Sequence, residues 1–471
     1  MVQGLLTLEL ARMFARFQGE KNRKKNNFAA RGPVLPGLIL NLQEDVMINS
    51  EILQKEIYVI PINGYTLFYA PLTRNFYICE GRADKRDVDK QWLAKATDIN
   101  NIPAFVRKGF DLDKKKIKLR INVTNRCNLR CSYCSIGNMA ESKDMSIEMG
   151  LRVIDNFLEY AEISGAKEIE MTFSGGEPTL NMFLISKLIK HARINAKQGL
   201  VVSPRILTNG LFSQKEIGLI LNDVDGIQIS WDGFSGNKKR YGENAAVSKR
   251  VRRNIGFLCE SGISPSILSV VSEDNHLFLK ELVDDLYTTF GIENISLVFK
   301  DNLGRAIGKK ENLDFKKFGK DYINIWWQYR LKDIDINLAG TDIHSIALYP
   351  CSLPHPNYSV SHDGKISACT VTFNSKNDKA NHFLIGELGE MGLELNARSI
   401  ESMRQFNVFN IVDCQDCFAK WHCRGGCVYA KQGDWFAAMD SDLCESIRWI
   451  VKNKLFLIIS SDDKKEITVT L

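Results

Sequence analysis

The chain has 471 residues, 44 per cent of them hydrophobic and 25 per cent charged, a globular composition at a length that suits about two or three domains. Its 62 basic and 56 acidic side chains leave a net charge of +6, too small an imbalance to argue for a nucleic-acid partner. No apolar run approaches a membrane span, and 12 cysteines with no secretory signal point to metal or redox chemistry in a reducing, cytoplasmic compartment rather than to a disulfide framework.

In chain order, an amphipathic helix is expected over Leu5 to Phe17. Glu9, Arg12 and Arg16 interrupt its apolar stretch and set it apart from a signal peptide. The basic run Lys21-Asn22-Arg23-Lys24-Lys25 reads as a solvated linker. Short β-rich runs follow at Ile57 to Ile60, Tyr65 to Tyr69 and Phe76 to Cys79, and then a charged helix from Asp87 to Ala96. This N-terminal extension, residues 1–110, reads either as a small winged-helix-like α+β unit or as a structural preamble to the main fold.

From Lys118 to Lys300 the pattern alternates strand and helix. Strands are expected near 118–124, 168–174, 202–207, 226–231, 265–271 and 293–299, with helices between them such as Ser146 to Ile163 and Lys238 to Glu260. Such alternation predicts an α/β fold with a parallel sheet, here an incomplete (β/α)6 barrel over residues 111–310. The chemistry of such barrels sits at the C-terminal ends of the strands. Residues 311–345 are expected to form a linker around a helix from Phe315 to Leu331. Residues 346–471 form a cysteine-rich domain.

The first expected barrel strand runs into Cys127-Asn-Leu-Arg-Cys131-Ser-Tyr-Cys134, a C-x3-C-x2-C spacing. Three thiolates in one short loop can hold three corners of a four-iron, four-sulfur cube and leave the fourth iron open to a small molecule. A zinc knuckle is the competing reading, though zinc ordinarily takes a fourth protein ligand and no histidine lies nearby. The second expected strand ends in Ser174-Gly175-Gly176-Glu177-Pro178. Paired glycines let backbone approach a ligand closely, and the glutamate can accept from an ammonium group. On its own the segment would be a plain turn.

Two further segments end expected strands, Thr208-Asn209-Gly210 and Ser230-Trp231-Asp232-Gly233. The turn Ser272-Glu273-Asp274-Asn275 reads as a ligand-facing loop or as an ordinary cap. The last part of the chain carries seven cysteines: Cys351, then Gly364-x4-Cys369, then Cys414-x2-Cys417-x5-Cys423-x3-Cys427, and Cys444. Zinc ribbons would also use C-x2-C pairs. Cys79 and Cys259 fall outside both patterns and read as small buried hydrophobes.

The cysteine triad, with Tyr133 in the aromatic place before its last cysteine, resembles the hallmark of the radical S-adenosylmethionine (SAM) enzymes. The C-terminal field resembles the SPASM domain that follows such cores. The resemblance implies a [4Fe-4S] cluster on Cys127, Cys131 and Cys134 whose open iron binds SAM, and a 5′-deoxyadenosyl radical made by reductive cleavage. It implies cofactor contacts from Tyr133, Gly175, Gly176, Glu177 and Ser230. Arg240 is a further candidate, competing with a solvated face beside Lys238 and Lys239. It also implies two auxiliary iron–sulfur clusters, read as [4Fe-4S]. Cys414, Cys417, Cys423 and Cys444 would ligate the distal one fully. Cys351, Cys369 and Cys427 would hold the nearer one with an iron left over for a substrate thiolate, water or a side chain such as His355.

The partners implied are a peptide or protein substrate, held through a leader segment if the N-terminal unit binds one, and an external one-electron reductant such as flavodoxin or ferredoxin. The favoured activity is a peptide maturase that removes hydrogen from a side chain and forms a thioether or carbon–carbon crosslink. An anaerobic sulfatase-maturing enzyme is the alternative, against which stand Thr370 in place of an aspartate after Cys369 and the lack of a further cysteine soon after Cys351. A third reading is an iron–sulfur electron carrier or zinc-structured binding module, which would have no use for the SAM segments. No general base stands out from the sequence.

Overall fold

The computed structural model describes residues 48–103, 115–136, 142–218, 221–242, 244–300, 303–309, 312–351, 357–374, 378–431 and 434–461. The expected first helix, the basic run and His355 lie outside these residues.

The N-terminal part begins with a helix, Ser50–Lys55, capped by the Asn49 side chain. A three-stranded antiparallel meander follows, β1 (Tyr58–Ile62), β2 (Tyr65–Ala70) and β3 (Asn75–Glu80). Asn63 and Gly64 form the first turn with φ of 49° and 85°, the positive angles that a two-residue hairpin of right-handed twist requires. The helix Lys90–Thr97 buries Trp92 and Ala96 against Phe68 and Ala70.

Six parallel strands make the barrel: β4 (Lys116–Thr124), β5 (Glu168–Gly175), β6 (Val201–Thr208), β7 (Gly226–Ser230), β8 (Ser266–Val271) and β9 (Asn294–Phe299). Strand β4 shows why the sheet forms. Ile117, Leu119, Ile121 and Val123 are all at most 1 per cent exposed, while Arg120 and Asn122 alternate with them and face the other side. The helix Ile147–Ser164 is capped by Ser146 at one end and by Gly165, at φ 69°, at the other. Its stripe of Val153, Ile154, Phe157 and Ala161 is buried on the sheet.

The structure corrects two sequence expectations. The single helix expected from Lys238 to Glu260 is two, Gly233–Tyr241 and Ala245–Glu260, because Gly242 takes φ 66° and Asn244 caps the second. The linker region adds a strand as well as its helix, Phe315–Arg330: β10 (Asp335–Leu338) lies parallel beside β9. Its outer edge is closed by that helix. The Tyr322 hydroxyl donates to Ile336 O at 3.0 Å and accepts from Leu338 N at 3.2 Å, and Ile334 N donates to Tyr329 O at 3.1 Å. An edge so occupied offers no ladder to another chain.

The cysteine-rich part continues the same sheet. Strand β11 (Asn357–Val360) pairs in parallel with β4, on the side opposite β5. β12 (Lys365–Ser367), β13 (Leu384–Gly389) and β14 (Gly392–Leu395) follow antiparallel, giving an 11-stranded sheet. The β13–β14 hairpin docks on the helix Ile147–Ser164, where Leu393 N donates to the Asn156 carboxamide oxygen at 2.9 Å. The last helix, Ser441–Ser461, packs along Phe315–Arg330. Among the described residues no helix is long and apolar enough to cross a membrane.

Candidate SAM and iron–sulfur sites

The loop bearing Cys127, Cys131 and Cys134 leaves the C-terminal end of β4, and Gly175-Gly176-Glu177 leaves the end of β5 beside it. Backbone bonds bind the two together: Gly176 N donates to Thr124 O at 2.9 Å and Glu177 N to Arg126 O at 2.8 Å. Only glycine fits here. A Cβ on Gly175 would stand 2.1 Å from Thr124 O, and one on Gly176 would stand 2.2 Å from Arg126 O.

Glu177 is 1 per cent exposed. Its Oε1 accepts from Thr179 N at 3.1 Å, Thr179 Oγ1 at 2.6 Å and Thr208 Oγ1 at 2.7 Å, while Oε2 accepts from Asn209 N at 2.7 Å. A carboxylate offers about four acceptor positions; here three donors meet at Oε1 and one at Oε2. Burial raises its pKa, which these four donors oppose. Glu177 therefore staples the end of β5 to the end of β6.

The far side of the cysteine loop is held by residues from β7 onward. Tyr133 donates from its hydroxyl to the Asp232 carboxylate. The Arg240 Nε lies 3.3 Å from the same carboxylate, and its guanidinium sits 5.6 Å from the Tyr133 ring centre. Asp232 also accepts from Val270 N at 2.9 Å. Arg240 is thus buried, 7 per cent exposed, and paired within the protein rather than lying on a solvated face. Ser230 ends β7, half-buried, one residue before Trp231 and two before Asp232. The turn after β8 is tied by its own residues: Asn275 accepts from Ser272 N at 2.8 Å and donates to Val270 O at 2.9 Å.

Sequence reasoning missed three supports of the loop. Asn209 donates to Asn128 Oδ1 at 2.7 Å. Arg305 binds the carbonyls of Cys134, from its N–H at 3.1 Å, and Cys131, from Nη1 at 3.2 Å. Gly304 packs where a Cβ would meet Cys134 O at 2.2 Å. Thr208-Asn209-Gly210 and Trp231-Asp232-Gly233 were visible as strand-end segments, but nothing local in the sequence marked Gly304 or Arg305.

The thiol of Cys127, an exposed residue, is pushed up to about 11, by desolvation of the sulfur in the loop first and with Glu177, Cys131 and Cys134 adding to it; burial raises that of Cys131, a rise that the Arg240 charge only partly offsets. Such thiols stay protonated until a metal takes the sulfur. In the C-terminal field the Cys423 thiol is pushed up to about 12, by burial first and then by Cys444, Cys414 and Cys417. Cys414 is raised to about 11 by burial and by Cys417 and Cys444. These four thiols therefore stand together. Cys351 and Cys369 both act on the guanidinium of the half-buried Arg120 of β4, which places them at the junction with the barrel. Cys427 neighbours Lys431, as do Cys414, Cys423 and Cys444. Among the described residues no three His, Cys, Asp or Glu converge on a single metal ion. Cys79 and Cys259 are half-buried and pack against core clusters.

A parallel barrel gathers three thiols and a glycine-walled turn at its strand ends, with further thiol groups in the C-terminal part. Residues 121–286 match the family model described as the radical SAM superfamily. Such a domain carries a [4Fe-4S] cluster and SAM, and the C-terminal cysteines fit auxiliary clusters. The chain is similar to the radical SAM cyclopropyl synthase TigE of Paramaledivibacter caminithermalis, 20 per cent identical over 361 residues, covering 71 per cent of this chain and 73 per cent of that one. Its fold is similar to that of anSMEcpe with bound AdoMet and Kp18Cys peptide (TM-score 0.59, 18 per cent identity, 74 per cent of this chain and 99 per cent of the other). It is also similar to Streptococcus suis SuiB bound to precursor peptide SuiA (TM-score 0.51, 18 per cent identity, 78 and 84 per cent).

Proposed function

We propose that this chain is a radical SAM/SPASM peptide maturase that crosslinks a side chain of its substrate. Cys127, Cys131 and Cys134 hold the SAM-binding cluster. Cys414, Cys417, Cys423 and Cys444 ligate the distal auxiliary cluster. Cys351, Cys369 and Cys427 hold the nearer one, with an iron left open. When loaded, the site supplies a 5′-deoxyadenosyl radical able to take hydrogen from an unactivated carbon.

The chain's own residues do the positioning. The Gly175 and Gly176 backbone admits the methionine end of SAM without a side chain in the way. Glu177 fixes that turn to β6, and Asp232 and Arg240 orient Tyr133 and so the cysteine loop, with Ser230 beside the ligand. The observation that carries this reading is the bonded junction of the cysteine loop with Gly176 and Glu177 at adjacent strand ends. An electron carrier would need no such junction. Peptides are favoured as substrates because both structural neighbours were solved with peptides bound.

The sulfatase-maturing alternative expects a carboxylate after Cys369. Thr370 stands there instead, its Oγ1 3.4 Å from Arg120 Nη1. The experiment is anaerobic incubation of reconstituted protein with SAM, reductant and a short peptide encoded beside its gene, read by mass spectrometry with deoxyadenosine measured in the same tube. Loss of two hydrogens per modification, with fragmentation blocked between two side chains, is the expected result. Deoxyadenosine beside an unchanged peptide would move the search to sulfatase-type Cys or Ser targets. Absence of deoxyadenosine would overturn the assignment.

A further inference from the structure

The N-terminal part is hydrogen-bonded to the segment between two of the auxiliary cysteines, Cys417 and Cys423. Glu56 follows the helix Ser50–Lys55 and is 6 per cent exposed. Its Oε1 accepts from Lys420 Nζ at 2.6 Å, and its Oε2 accepts from Trp421 Nε1 at 2.6 Å and from the Tyr58 hydroxyl at 2.5 Å. Lys420 and Trp421 are 1 and 0 per cent exposed, and they sit in the single helical turn Lys420–Cys423. That turn spans the interval between Cys417 and Cys423, and Lys420 N donates to Cys417 O at 3.1 Å. The thiol of Cys417 lies close enough to Tyr58 to act on its phenol. The next residue of the turn is gripped too: His422 Nε2 lies 2.7 Å from the Tyr69 hydroxyl of β2.

A buried ion pair is a poor way to gain stability, because desolvation consumes most of the attraction. Packing alone would be served as well by an apolar pair. What the pair does achieve is to cancel a buried positive charge three residues from two thiolate positions, in a medium that screens weakly. Iron–sulfur potentials follow net charge and hydrogen bonding near the sulfurs.

We propose that Glu56 is a positioning and charge-balancing residue of the distal cysteine set, through which the N-terminal part tunes the redox poise of the cluster held there. The inference rests on the ligand set proposed above. With Glu56 in place, Lys420 adds no net charge beside the cluster. If the carboxylate is neutralised, the ammonium favours the reduced, more negative form. If the ammonium is removed, the carboxylate favours the oxidised form.

The test uses anaerobically reconstituted full-length protein, with potentiometric titration followed by electron paramagnetic resonance. The distal signal is identified as the one lost in Cys417→Ala. Glu56→Gln should move its midpoint positive, Lys420→Met should move it negative, and Glu56→Asp should restore the wild-type value. Deoxyadenosine formed without peptide should be unchanged in Glu56→Gln. Midpoints that stay put, or that move in the same direction in both variants, would overturn the inference, since simple loosening shifts both alike. Loss of distal iron from both variants would reduce Glu56 to a structural clamp and overturn it equally. No distal signal in the wild type would instead fail the ligand assignment, a result distinct from an unmoved midpoint.

Discussion

The hydroxyl of Tyr133, inside the cysteine loop, donates to the carboxylate of Asp232 at the end of β7, and the same carboxylate holds the buried guanidinium of Arg240. One anion thus anchors the loop from β4 and the charge that offsets part of the burial-driven rise of the Cys131 thiol.

Replacing Asp232 with Asn should leave Arg240 charged and buried without its counter-ion. Breaking a buried pair in this way costs about 3–5 kcal/mol. Urea unfolding of the cluster-free protein should show a loss of that order, and deoxyadenosine formation should fall steeply in the loaded enzyme. Retention of both would remove Asp232 as the anchor.

Gly176→Ala places a Cβ 2.2 Å from the Arg126 carbonyl oxygen, a backbone atom that cannot swing aside. The turn and the cysteine loop must separate, so SAM should no longer perturb the spectrum of the reduced cluster. Gly218→Ala, where a Cβ meets nothing within 4 Å, is the matched control and should behave as wild type.

Cys131→Ala should abolish SAM cleavage and lower the iron content by about four atoms, one cube, while the remaining iron keeps its auxiliary signals. Cys417→Ala should do the reverse, sparing cleavage but removing the distal signal and impairing peptide turnover. Iron analysis beside a deoxyadenosine assay separates the two. Retained cleavage in Cys131→Ala would sink the assignment of the catalytic cluster.

Lys454 borders a cavity of about 510 Å³ between the helix Phe315–Arg330, β10 and the last helix. Its Nζ donates to Thr341 O at 3.1 Å and lies 4.7 Å from the Trp326 ring centre. Burial lowers its pKa from 10.5 to about 7, against Asp342 and Asp335, which raise it, and with Arg330, which lowers it. Between those values the unfolded chain holds the proton and the folded one does not. Stability should therefore rise with pH from about 7 to about 10, by on the order of 4 kcal/mol from this group. In Lys454→Met that slope should flatten, as measured by denaturant unfolding across the range. An unchanged slope would mean that Lys454 is not the group responsible.

Much of the site was legible in the sequence because its chemistry is local. Three thiols gathered on one short loop, and a glycine pair placed just after a strand so that backbone can come close, each leave a fixed spacing. The strand and helix order of the barrel was legible for the same reason, since alternating burial along β4 and the stripe on Ile147–Ser164 are written in neighbouring residues. The break at Gly242 was missed because the flanking residues form helix readily on either side, and one positive φ was enough to end it.

What the sequence by itself determined is the chemistry: cluster thiols, glycine turn, parallel barrel and a second cysteine field. Tertiary structure alone decided how these parts meet. The pairing of β11 with β4, the bonding of Glu177 to Thr208 and Asn209, the meeting of Tyr133 with Asp232, and the grip of Glu56 on Lys420 and Trp421 all join residues distant along the chain. The physical reason is the same in each case. A buried polar or charged group must find its partner wherever folding brings one, and that choice is made by packing rather than by spacing along the chain.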